Sequence, residues 1–154
     1  MIRDSRLSGV LHLLIHLADH DGPMPSELLA KAMDTNPVVI RRILAGLRER
    51  GHVRSEKGHG GGWTLVRGLG EITLLDVYEA LGRPALLAIG NRSKQPRCLV
   101  EQAVNAALDE TFDAAEALML ERLKSVTLAD LESDFRVRLA ARPTHRAKDH
   151  PHGY

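Results

Sequence analysis

Cysteine is nearly missing from this chain. Cys98 is the only one in 154 residues, so no internal disulfide can form, and a zinc site built from several cysteines is excluded within one chain. A reducing, cytoplasmic setting fits that usage. Aromatics are equally scarce at 3%, which leaves the core to Leu, Val, Ile and Ala and favours helices. No apolar run approaches the roughly 18 residues of a membrane span, and the start of the chain, with acidic Asp4, does not read as a signal peptide. The sequence also lacks paired carboxylates, a nucleophile motif and a P-loop, which argues against an enzyme. The glycine-rich stretch Gly58 to Gly62 has no Lys-Ser/Thr after it.

What is there is unevenly spread. Residues 1–68 carry ten Lys/Arg against seven Asp/Glu, and residues 69–139 carry eight against twelve. Within residues 41–57, six basic side chains face two acidic ones, a focused positive patch of the kind a polyanion contacts. A solvated helix face is the alternative on charge alone.

The periodicity predicts a first helix over residues 6–22, with Leu7, Val10, Leu11, Leu14, Leu17 and Ala18 on one face and Gly22-Pro23 as its stop. Ser26 is placed to cap a short second helix carrying Leu28, Leu29 and Ala32, and Asn36 to cap a third with Pro37 at its first position. In the third, Val39, Ile40, Ile43, Leu44 and Leu47 are the expected buried side, and Gly51 suits a left-handed C-terminus. Val53–Glu56 and Thr64–Val66 read as short strands, with the glycines as the hairpin tip and Trp63 packing its base. A helix follows over residues 71–82, with Thr73 and Asp76 as a capping pair.

The expected fold class is therefore α+β, mostly helical: a winged helix-turn-helix with a long C-terminal dimerisation helix. Residues 1–82 form the DNA-binding region with its wing at about 53–66, and 83–98 a flexible, sensor-type loop. Residues 99–138 hold the long helix and a short terminal one capped by Thr127, and 139–154 a disordered tail. From Leu99 the apolar steps Val104, Leu108, Phe112, Ala115, Met119 and Arg122/Leu123 approach a heptad seam, so a second copy of the chain is expected to cover part of it.

In such a motif the second helix of the pair enters the major groove. That makes Val38, Arg41 and Arg42 the early outward positions, places Thr35 and Asn36 near a phosphate, and adds Arg48 and Arg54 to the DNA-binding set. Lys57, His59, Gly60 and Gly61 of the wing are placed to meet the minor groove or its phosphates.

The segments "NPVVIRRILAGLRERGHVRSEKGHGGGWTLVR" and "EITLLDVYEALG" resemble the Rrf-two family of bacterial winged-helix regulators, over about Leu7 to Leu131. The family includes an iron-sulfur cluster regulator and a nitric-oxide sensor. The resemblance implies a cytoplasmic homodimer, more in the manner of a repressor, on a palindromic promoter site. It also implies a cluster on three cysteines before the long helix, and here the sequence departs. Cys98 matches the last of the three, but the earlier positions fall near Arg92 and Leu86. The first-helix position that supplies a carboxylate in some relatives is Ser8, and the outer position after the last cysteine is Glu101.

No cofactor and no metal ligands are therefore expected. The alternative is a cluster or metal shared across a dimer through Cys98 and His12, since a histidine at the latter position serves a relative as ligand. His12, His16 and His20 step by four and project away from the apolar stripe, which favours surface or dimer-facing histidines. Cys98 alone reads either as a redox-sensing thiol, aided by Arg92, Lys94, Arg97 and the helix start, or as a structural cysteine. A winged-helix interaction module that does not read DNA is the other class left open.

Overall fold

The computed structural model describes residues 5–142. Helix α1 (Arg6–Asp19) packs Val10, Leu13, Leu14 and Leu17 into the core, with Leu7 and Leu11 at its margin. Leu13 joins the expected stripe because the apolar face is wide enough to meet elements on both sides of the helix.

Helix α2 (Ser26–Ala32) starts at the residue expected to cap it. Ser26 is instead inside the first turn and buried, and its hydroxyl accepts a hydrogen bond from Trp63 Nε1 at 2.9 Å. Leu29 and Ala30 are its buried residues; Leu28 is exposed, since a seven-residue helix has only one turn of face to bury. Asp34, at φ 48°, reverses the chain into α3 (Pro37–Glu49). There Asn36 caps as expected, its side chain accepting from Val38 N–H at 2.8 Å. Ile40, Leu44 and Leu47 are buried, but Val39 is 41% exposed, so the buried arc is narrower than the sequence pattern suggested.

Strands β1 (Val53–Glu56) and β2 (Gly62–Leu65) pair antiparallel, Val53 opposite Leu65 and Glu56 opposite Gly62. β2 begins two residues earlier than expected because Trp63 makes a second pairing, exchanging both backbone hydrogen bonds with Met24 at 2.9 and 3.0 Å. Val66 lies past the strand and is exposed. The wing is thus fixed to the segment ahead of α2. Gly62 permits this approach: a Cβ there would stand 2.5 Å from the Met24 carbonyl carbon and 2.8 Å from Pro25 N. At Gly61 a Cβ would stand inside contact distance of the Glu56 carbonyl oxygen.

The single helix expected over 71–82 is a 3-10 turn, Leu69–Glu71, followed by α4 (Leu74–Ala80). Thr73 and Asp76 form the capping box between them. No helix or strand occurs between residues 83 and 98. Helix α5 (Leu99–Ser125) then runs 27 residues, about 40 Å at 1.5 Å per residue. None of its residues is buried within the chain. Helix α6 (Leu128–Ala140) opens on a second capping box, Thr127 with Asp130. The two cap segments lie side by side: Leu74 N–H donates to Val126 O and Leu128 N–H to Ile72 O, both at 2.9 Å. With Leu128 fully buried, this bridge returns the end of α5 to the core. α6 continues two residues into the stretch expected to be tail; residues 143–154 lie outside the described residues.

Candidate nucleic-acid interface

The turn at Asp34 sets α3 against α2 so that its apolar arc faces the core and its first two turns face outward. Thr35, Asn36, Arg41 and Arg42 are exposed, and Val38 is 56% exposed. Thr35 and Asn36 sit at the helix start, where the helix dipole favours an anion. Arg41 does not stand free: its guanidinium contacts the Glu27 carboxylate of α2 at 2.5 Å, with both side chains largely in solvent.

The wing meets α2 and α3 across an open cleft of about 430 Å³, lined by Glu27 and Arg41 on one side and Ser55, Glu56, Lys57, Gly58 and Gly61 on the other, with Trp63 among its walls. The cleft therefore brings together Arg41, Lys57 and Gly61 from the sequence set. Arg54 is exposed beside it, held by Thr64 Oγ1 at 3.1 Å and Glu56 at 3.2 Å. Arg48 stands elsewhere, its guanidinium 5.9 Å from the Trp63 ring centroid, where it braces the wing base by a cation–π contact. His59 and Gly60 are exposed at the wing tip, and Gly60 takes φ 75°.

Sequence reasoning missed Glu27 as part of this surface, whereas Glu56 had already entered it as one of the two acids of the basic patch. Glu27 is fourteen positions from Arg41, so no local pattern signals the pair. Its carboxylate competes with any base edge or phosphate for the arginine and repels phosphate itself.

His52, between α3 and β1, is 4% exposed and its Nδ1 has no hydrogen-bond partner. Burial holds its pKa below the ordinary 6.5, with Arg67 and Arg50 adding to the effect and Asp76 opposing it. Because the folded value is depressed, its stabilising contribution is complete above about pH 6.5 and declines as pH falls through that value toward the folded one. Asp76, also depressed despite its burial because Thr73 bonds its charged form, acts only below its ordinary 3.8. Urea midpoints at about pH 7.5 and 5.5 should therefore fall on acidification in the parent and fall less in His52→Gln.

Cys98 is the N-cap of α5 and exposed. The backbone N–H groups of Glu101 and Val100 hold its thiol below the usual range, so the helix start does what the sequence assigned partly to Arg92, Lys94 and Arg97. His12 and His16 lie on the exposed face of α1, and His20 is exposed just past its end, as the extended C-cap. One thiol cannot supply a three-cysteine cluster, and no group of three His, Cys, Asp or Glu suited to a metal occurs among the described residues.

A helix pair presenting its second member outward, flanked by an anchored two-stranded wing, defines a winged helix-turn-helix protein. A family profile described as "Iron-dependent Transcriptional regulator" matches residues 3–134. The chain belongs to that family, Rrf2, the one its sequence resembles. It is 34% identical over 128 residues to the HTH-type transcriptional regulator YwnA of Bacillus subtilis, covering 83% of this chain and 95% of YwnA. Among solved structures, a DNA-binding protein is 32% identical with a TM-score of 0.66, covering 82% of this chain and 98% of its own. CymR, the global cysteine regulator of B. subtilis, is 26% identical with a TM-score of 0.62, covering 86% and 98%. The protein is a DNA-binding transcription regulator of the α+β winged-helix type and not an enzyme. No helix among the described residues is long and apolar enough to cross a membrane.

Proposed function

We propose that the protein is a homodimeric repressor that reads a palindromic promoter site in the bacterial cytoplasm, without the family's three-cysteine cluster. The cleft carries this reading. Arg41, on the exposed front of α3 with Arg42 beside it, and Lys57, on the wing, border one opening, as a surface straddling a groove edge and the neighbouring phosphates requires. Thr35, Asn36, Val38, Arg54, His59, Gly60 and Gly61 complete the contact surface; Arg48 acts mainly as a brace. Cys98 supports a second reading, a thiol-based redox response, because it is exposed, acidified and sits where α5 begins.

The exposed apolar residues of α5 support the dimer. Leu99 is 78% exposed, Val104 49% and Leu118 74%, an apolar load that a lone chain leaves in water. A second α5 laid against it would cover the Val104, Leu108, Phe112, Ala115 and Met119 seam and set two reading heads on successive turns of DNA. Sedimentation should give twice the 17.0 kDa chain mass for the parent and a monomer for Leu108→Asp with Met119→Asp. A parent that stays monomeric at high concentration would contradict the dimer.

A further inference from the structure

We propose that His12 and His16 form a two-point chelate for a divalent first-row transition ion, with nickel and copper preferred over zinc. The two residues sit one turn apart on α1, both exposed, with ring centroids 4.7 Å apart. Their Nε2 atoms approach to 2.9 Å. With metal–imidazole bonds of about 2.05 Å, that separation subtends an angle of about 90° at the ion. This is the cis angle of square or octahedral coordination, whereas a tetrahedral site wants the nitrogens farther apart.

In the metal-free chain one ring donates an Nε2–H hydrogen bond to the other across this contact; an ion takes the place of that hydrogen once the proton has moved through water to the same ring's Nδ1, and both Nε2 atoms are then satisfied. His20, at the next step, is turned to the Gly22 carbonyl at 3.2 Å, and Asp19 is engaged by Arg136 at 3.0 Å, so neither completes the site. Water fills the remaining positions. The site uses no atom of Cys98 and does not depend on how the protein contacts DNA. An ion there would staple two turns of α1, the helix whose opposite face carries Val10, Leu14 and Leu17.

The test uses the full chain without an affinity tag, with tail residues His145, His150 and His152 replaced by alanine. Nickel chloride is titrated at about pH 8, where free imidazole is uncharged. One equivalent should bind and raise the thermal midpoint, as any ligand of the folded state does. Loss of even an outer partner of a ligand commonly weakens binding about tenfold, so His12→Ala and His16→Ala should each weaken it by at least that factor. Cys98→Ser and His20→Ala should leave it unchanged, and magnesium should have no effect. Circular dichroism checks that the variants stay folded. Absence of saturable nickel binding, retention in the His12→Ala, His16→Ala double variant, or loss on Cys98→Ser would each overturn the proposal.

Discussion

Replacing Arg41 and Arg42 together by alanine is expected to weaken binding to the protein's own promoter by roughly 100-fold or more, since each well-placed arginine–guanine contact is worth about 1–3 kcal/mol. Both side chains are exposed and take no part in the core, so the fold should survive intact. Arg41 supplies the sharper control, because it must leave Glu27 to reach a base. An exposed pair of this kind is worth only about 0–1 kcal/mol, so DNA can displace it. Glu27→Gln removes the competitor and a charge that repels phosphate, and binding should tighten several-fold, most visibly at low salt. Equal weakening by Glu27→Gln and Arg41→Ala in a gel-shift titration would mean that the pair itself, and not the free arginine, is what DNA requires.

Gly62→Ala is expected to destabilise the fold by on the order of 2–4 kcal/mol, because overpacking here meets backbone that cannot swing away. The new methyl would lie 2.5 Å from the Met24 carbonyl carbon and 2.6 Å from its oxygen. Relief requires pulling β2 from Met24, which breaks the two backbone bonds of Trp63 and strains the Trp63–Ser26 bond. Gly60→Ala is the contrast. Nothing lies within 4 Å of its missing Cβ, and only its φ of 75° is at stake, a cost of about 1–2 kcal/mol. Urea unfolding should therefore rank Gly62→Ala well below Gly60→Ala in stability, and promoter binding should fall in Gly62→Ala at temperatures where it remains folded. The reverse ranking would show that the wing is not held through Met24.

Much of the helical frame was legible because its signals are local. Asn36-Pro37, Thr73 with Asp76 and the Thr127 cap are capping chemistry within four residues, and each forms as the sequence indicates; Asp130 extends the last into a second capping box. What escaped were non-local arrangements. Ser26 has cap-like chemistry, yet the Trp63 indole thirty-seven residues away draws it inside. The pairing of β2 with Met24 shifts the strand start, and the bridge between residues 73 and 127 has no counterpart in any window of sequence. At the candidate interface the outward arginines of α3 could be read from period and charge, whereas the Glu27 carboxylate opposing Arg41 could not. Val39 shows the same limit: its period suits burial, but α3 meets its neighbours over too narrow an arc.

The central claim, that α3 and the wing read a specific DNA sequence, is tested most directly by competition titrations. Labelled promoter DNA is competed by unlabelled promoter and by a scrambled duplex of equal length, across a series of salt concentrations. The account predicts that the scrambled duplex competes at least about 1,000-fold more weakly, as specific binders do. It also predicts that affinity for both falls steeply with salt, by a power set by the number of phosphates contacted. Equal competition by promoter and scrambled DNA, with the same salt slope, would contradict it.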